Sequence, residues 1–494
     1  MSAEDEAAVA LFLPAPHRYE RVRFLFLRGL GALYLVAFLS LADQIVPLVG
    51  QTGLLPAGLL ADRDGALPTF FSIVGVSDVA LVAAALGGAA LGLAVLLGAT
   101  HAPALLALWV LQLSMIDVGQ LFLGYGWEIL LAEAGLLAIF LCPVRSVRPF
   151  PLRWPASPAL ALLYRWLLFR LMFGAGLIKL RGDPCWRDLS CLDHHYETQP
   201  LPSPLSTLWH HLPSAVLHGG VLVNHVVELV VPFGLFGPRP VRLAAGAITV
   251  AFQLFLALSG NLSTLNWLSI VIALWCFDDE ALGRLGRRPA APLLPAPRTA
   301  TVVPVVLAVV VGILSVGPVL NLLSPDQRMN ASFDPLHLVN TYGAFGTVGR
   351  TRRELSIEGS GDADPHHARW RAYALPCQPG PVGRRPCFVA PWPLRLDWQI
   401  WFAAGSEPDD QPWLVHLVWQ LLRGDRDLLH LFSHAPFPSR APPRWIRIQR
   451  WRYRLAPPGA AVHWVRDQEE SWMRPLSLDD PGLREYVALQ GWTD

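Results

Sequence analysis

Residues 169–213 read FRLMFGAGLIKLRGDPCWRDLSCLDHHYETQPLPSPLSTLWHHLP. The first part is the far half of an apolar helix with Lys179 at its end. The second part is a polar loop that holds Cys185 and Cys191, a run of His, Tyr and Glu, and several prolines. Connecting loops lie at the surface and carry function more often than the elements they join. With Arg181 and Asp183 just beyond Lys179, the helix meets water here, and the chain on either side is read from this boundary.

Outward from this stretch, the chain of 494 residues is 53% hydrophobic and only 16% charged. A soluble globular protein carries about 25% charged residues. The deficit is uneven: long apolar runs continue to about residue 325, after which charge and Trp return. The composition therefore predicts a polytopic helical membrane domain followed by a water-exposed domain. A formal net charge of +1 gives no electrostatic reason to expect a nucleic-acid partner. The amino end is acidic and lacks a short apolar core with a small-residue cleavage site, so the first apolar run is read as a retained anchor.

Runs near bilayer length fall at 22–41, 70–97, 103–123, 127–141, 159–180, 216–236, 241–258, 264–277 and 302–323, about nine spans, the fourth and eighth being short. Arg18, Arg21 and Arg23 precede the first. Arg145, Arg148 and Arg153 follow the fourth, Arg239 and Arg242 the sixth, and Arg284, Arg287, Arg288 and Arg298 the eighth. With nine spans these clusters share one side, which the positive-inside rule makes cytoplasmic. Segment 1–21 is then cytoplasmic, 22–323 is the membrane domain with an outer loop at 181–215, and 324–494 is a β-rich extracytoplasmic domain. Cys142 and Cys276 fall inside. Cys185 with Cys191, and Cys377 with Cys387, fall outside, where disulfides persist, and both pairs are expected to be bridged.

Within the last domain, Leu394, Leu396, Trp398, Ile400 and Phe402 alternate with more polar residues and read as a half-buried strand. Ile446 and Ile448 begin a second strand, in which the apolar phase slips near Gln449–Arg450 and predicts a β-bulge. Residues 413–422 and 425–432 read as short helices.

Charges inside a membrane need a partner or a cavity. Arg170, Glu133 and Glu228 lie at mid-span, with His225 one turn from Glu228. Depth matching pairs Arg170 with Glu228. Lys179 either snorkels to the lipid headgroups or turns inward toward His218, where desolvation would make it a base. His194, His195, His210, His211, His218 and His225, with Asp193 and Glu197, lack metal-ligand spacing, so no metal site is expected. Nucleophile-elbow, Walker and dinucleotide signatures are missing, and no cofactor is implied.

Several motifs are similar to those of one family. GLIKLRGDPCWRDLSC and HYETQPLPSPLS are joined by GYGWE (124–128), IFLCP (139–143), NHVVELVVPF (224–233), SGNLSTLNWL (259–268) and WCFDD (275–279). VLNLLS (319–324), HLVNTYGAFG (337–346), RRPC (384–387), RLDWQIWFAA (395–404) and PPRWIR (442–447) follow in the same order. Through these the chain resembles the lipase maturation factor family along nearly its whole length. The resemblance implies an integral membrane protein that helps exported lipases fold and assemble. Its partners would be the bilayer and an exported client, its outer loop and β-rich domain the client surface. It would sit in the endoplasmic reticulum membrane in a eukaryote or the inner membrane in a bacterium. A shorter likeness, apolar helix–Gly–Lys–Leu–acidic turn–Trp, is similar to the vitamin-K-dependent carboxylase superfamily, and implies the alternative of a membrane enzyme with Lys179 as base.

Overall fold

The computed structural model describes residues 18–60, 69–144, 155–283 and 298–492. Most of segment 1–21 and the basic clusters around Arg148 and Arg287 lie outside them. Among the described residues, seven helical stretches are long and apolar enough to cross a membrane. They are α1 (Glu20–Val49), α2 (Asp78–Leu97), α3 (Ala102–Gly119, extended to Leu123), α5 (Pro158–Arg181), α6 (Ser214–His225, continued to Phe236), α7 (Arg239–Ser259) and the pair α9 (Arg298–Leu314) and α10 (Val316–Leu323). The short fourth and eighth stretches are helical too: α4 (Gly126–Ile139) has 14 residues, and α8 (Leu265–Ala273) runs on to Cys276.

Small residues set the closest crossings. A methyl group added at Gly92 of α2 would lie 2.7 Å from the Leu35 backbone nitrogen of α1, so these helices touch backbone to backbone. One end of the bundle is closed by the WCFDD motif. Asp279 accepts from the backbone N–H groups of Glu20 and Arg21 at 2.9 Å each, which supplies the first turn of α1 with a carboxylate cap. Asp278 holds Arg239 at 2.7 Å and Arg242 at 3.1 Å. Two of the basic clusters therefore share this end, as does Cys276.

The other end is capped by residues 182–213 and 324–492. The cap contains a four-stranded antiparallel sheet of order β2-β1-β3-β4, from β1 (Arg352–Ser360), β2 (Arg371–Ala372), β3 (Trp445–Leu455) and β4 (Trp464–Leu476). Register shifts on β3 fall between Ile446 and Ile448, between Ile448 and Gln449, and between Arg450 and Arg452, the last two flanking the place where the apolar phase slip predicts a bulge. Helices α12 (Pro412–Arg423) and α13 (Arg426–His430) occupy the two expected stretches. Two disulfides, Cys185–Cys191 and Cys377–Cys387, both lie in the cap, while Cys142 and Cys276 are free.

The expected strand at 394–402 is instead helix α11 (Arg395–Ala403). The alternation misled because its polar positions do not face water. Arg395, Asp397 and Gln399 are buried along with Leu396 and Ile400, each met by a polar partner. With polar and apolar positions of 395–400 buried alike, and Phe402 exposed, no face is left for a period of two to report. One apolar core runs without a break from Leu30 and Leu168 in the spans to Trp413, Leu417 and Ile448 in the cap.

Candidate functional site

The seam between membrane domain and cap collects the ionisable groups singled out in the sequence. Arg170, in the middle of α5, is buried and pairs with Glu133 of α4, not with Glu228. The depth match itself fails: Glu228 stands opposite Gly176 and Lys179, nearer the outer end of α5, and Glu133 is the carboxylate at the level of Arg170. Residues 337–346 plug down onto this pair. The Asn340 carbonyl accepts from Arg170, and Glu133 Oε2 accepts from the Asn340 backbone and side-chain amides at 3.1 and 3.0 Å and from the Tyr342 hydroxyl at 2.8 Å. Gly174 makes room for this plug, since a Cβ there would run into the Tyr342 carbonyl.

Lys179 neither snorkels nor meets His218. Only 4% exposed, it donates to both Glu228 oxygens at 2.6 Å and to Asn224 Oδ1 at 3.2 Å, with its nitrogen 5.1 Å from the Trp186 ring centroid. The chain of α6 forms a π-helical turn over Val226–Val230, a form found mostly at single, often functional, sites, and this turn carries Glu228. His218 faces Asp193 at 3.3 Å. His225 shares no contact with the Arg170 pair; its Nε2 lies 2.8 Å from the Trp186 carbonyl. The single ionic cluster expected from Arg170, Glu133, Glu228 and His225 is thus two separate ion pairs and a histidine that holds the disulfide loop.

Three further anchors were missed by motif reading as chemistry. Arg395, with no exposed surface, reaches Glu128 at 2.9 Å and Ser40 at 3.0 Å, while Glu128 also accepts from Trp127 Nε1 and Gln112 Nε2. Arg352 donates to the carbonyls of Glu197, Gln199 and Pro200, and Glu197 in turn accepts from Leu455 N–H at 2.8 Å. Asn261 donates to the Leu201 and Cys387 carbonyls and accepts from Val389 and Ala390 N–H. The only signal was position: Arg395 and Asn261 lie inside quoted motifs, and Arg352, outside them, reaches into HYETQPLPSPLS.

Burial pushes the His195 imidazole down to about 3, with Lys179 adding to the shift, and the His210 imidazole down to about 4, so both stay neutral. Burial raises the Glu197, Glu354 and Asp397 carboxyls, the last to about 7. Among the described residues no three His, Cys, Asp or Glu side chains converge as metal ligands. The seam is a set of charges and amides matched across two regions, and such matching fixes one region on the other.

The comparisons follow the same division. Residues 21–284 match the model of the lipase maturation factor transmembrane domain, and residues 338–478 match that of the lipase maturation factor C-terminal domain. Human lipase maturation factor 1 is 40% identical over 511 aligned residues, covering 95% of this chain and 90% of that protein. The mouse protein is 39% identical, covering 95% and 89%. Human lipase maturation factor 2 is 29% identical over 605 residues, covering 95% and 84%. No solved structure matches. With both regions matched by one family, the chain is a multi-pass membrane protein that belongs to the lipase maturation factor family.

Proposed function

We propose that this protein is a membrane-bound maturation factor that helps exported lipases reach their active form. The observation that carries the reading is the extent of the likeness. Forty per cent identity runs across 95% of this chain and 90% of human lipase maturation factor 1, so neither region has been exchanged for another activity. The cap faces the compartment that receives exported proteins, which is the endoplasmic reticulum lumen in a eukaryote and the periplasm in a bacterium. Both disulfides in the cap and both free cysteines in the membrane domain favour that orientation. The client meets the exposed side of the cap, and the seam keeps that surface in one geometry. Lys179, engaged by Glu228 and Asn224, serves as a structural cation in this reading.

The test is co-expression with a secreted dimeric lipase in a host that lacks its own factor. The expected result is more lipase activity per unit of lipase protein and recovery of immature lipase with the factor after crosslinking. Unchanged specific activity for every lipase tried, with the factor correctly inserted, would overturn the reading.

A further inference from the structure

A cleft of about 450 Å³ opens where α1 and α2 leave the bundle on the capped side. That volume lies within the range of small-molecule sites. One wall is polar, with Gln51, Thr52 and Gln420; the other is apolar, with Leu59, Val76 and Trp492. Gln51 and Thr52 follow α1 after Gly50, and Val76 lies two residues before α2, so the cleft sits beside the ends of two apolar helices of membrane-spanning length.

The polar wall is built. His416, from α12, is buried and stacked on Trp492 at a centroid distance of 4.4 Å. Burial pushes its imidazole down to about 4, so it is neutral, and the Leu54 carbonyl, 3.0 Å from Nδ1, fixes the proton there. Its Nε2 then accepts from Gln420, whose amide nitrogen also donates to the Thr52 carbonyl at 2.8 Å. Both amide hydrogens of Gln420 are engaged inside the protein, and its side-chain oxygen is the acceptor left at the wall. No side chain of the lining is charged. The Asp78 carboxylate beside the cleft accepts from the Gln51 N–H at 2.8 Å.

The apolar wall continues into surface that faces lipid. Ile73 is 86% exposed, Val79 at the start of α2 is 80% exposed, and Leu59 is 56% exposed. Isolated aliphatic residues on a surface need no explanation, but a run of them joining a lipid-facing span to a half-polar cleft does. We infer that the cleft binds a neutral glycerolipid taken sideways from the bilayer, its hydroxyl and ester groups on the Gln420 wall and an acyl chain along Leu59 and Val76. Among the described lining residues no side chain offers a phosphate headgroup a cation, and a water-soluble ligand would leave the aliphatic approach unused.

The test uses the full-length protein in phosphatidylcholine nanodiscs doped with a diazirine-bearing diacylglycerol, followed by photolysis and peptide mapping. Modification is expected to concentrate on peptides around residues 51–59 and 491–492, above the level on the lipid face of α9 and α10. Leu59→Trp fills the cleft from an exposed position and should lower cleft labelling roughly tenfold, a loss of about 1.4 kcal/mol, while labelling of α9 and α10 stays unchanged. Val76→Trp provides the same test if the first variant folds poorly. Unlabelled diacylglycerol should compete and phosphatidate should not. Cleft labelling no greater than span labelling, labelling that survives both substitutions, or equal competition by phosphatidate would each overturn the inference.

Discussion

The seam and the outer face of the sheet use the same residue types to different ends. At the seam, Arg170 and Arg395 are buried and reach across from one region to the other, while buried Arg352 ties the two segments of the cap together, each with carboxylate or carbonyl partners. On the sheet, Arg452 and Arg454 share Asp467, and Arg450 holds Glu470, between adjacent strands with part of each pair in water. Desolvation makes the first set costly to break, because an unpaired buried charge remains. Solvent and salt make the second set nearly interchangeable. The difference teaches where the architecture is decided: the sheet would form without its arginines, whereas the cap would not stay on the spans without those of the seam.

The largest expected effect comes from breaking a seam pair. Arg395→Leu should cost about 3–5 kcal/mol by stranding Glu128, and adding Glu128→Leu should recover much of it. Thermal unfolding in detergent, followed through Trp fluorescence, reads both; simple additivity of the two changes would deny the contact. Deleting 324–494 should strand Glu128 in the same way and destabilise the membrane domain too.

Asp397 gives the next effect, through pH. Burial raises its carboxyl from 3.8 to about 7, while its Oδ1 accepts from Cys377 N–H at 2.8 Å. A group whose folded pKa is raised contributes stability that is fully present below its unfolded pKa and is lost as pH rises through the folded one. The cap should therefore lose stability between about pH 4 and 7, and Asp397→Asn, which keeps the acceptor, should flatten that slope. Melting temperatures measured across this window check it; an identical slope in the variant would contradict it.

Asn261→Ala removes a neutral anchor and leaves the Val389 and Ala390 amides without their acceptor, at about 1–3 kcal/mol. The smallest effect is expected on the sheet. Asp467→Ala should change stability least of these substitutions, and by less still in high salt, because the pair is exposed and screened. A larger cost than that of Asn261→Ala would erase the contrast between the two regions.

Much of this fold was legible from residues taken singly or in rows. The apolar runs marked the helices, and the phase slip after Ile448 marked the irregular register of β3. What could not be read was partnership. Counting along the helices placed Arg170, Glu133 and Glu228 at one level, but Glu228 lies opposite Gly176 and Lys179, nearer the outer end of α5, and the π turn at Val226–Val230 that carries it is invisible to a 3.6-residue count. Lys179 resembled a snorkelling lysine because its carboxylate partner was 49 residues away. The RLDWQIWFAA stretch resembled a strand because Arg395, Asp397 and Gln399 were assumed to face solvent, and the groups that let them be buried belong to other helices and loops.

The central claim is that lipase maturation depends on a cap held to the spans by the seam. Its most direct measurement is secreted lipase activity per unit of lipase protein in a host supplied with the wild-type protein, Arg395→Leu, or Arg395→Leu with Glu128→Leu, at matched membrane levels. Protease accessibility of the cap is read in parallel. The account predicts full activity with the first, loss with the second as the cap becomes accessible, and recovery with the third. Full activity from Arg395→Leu while its cap is open to protease would contradict it.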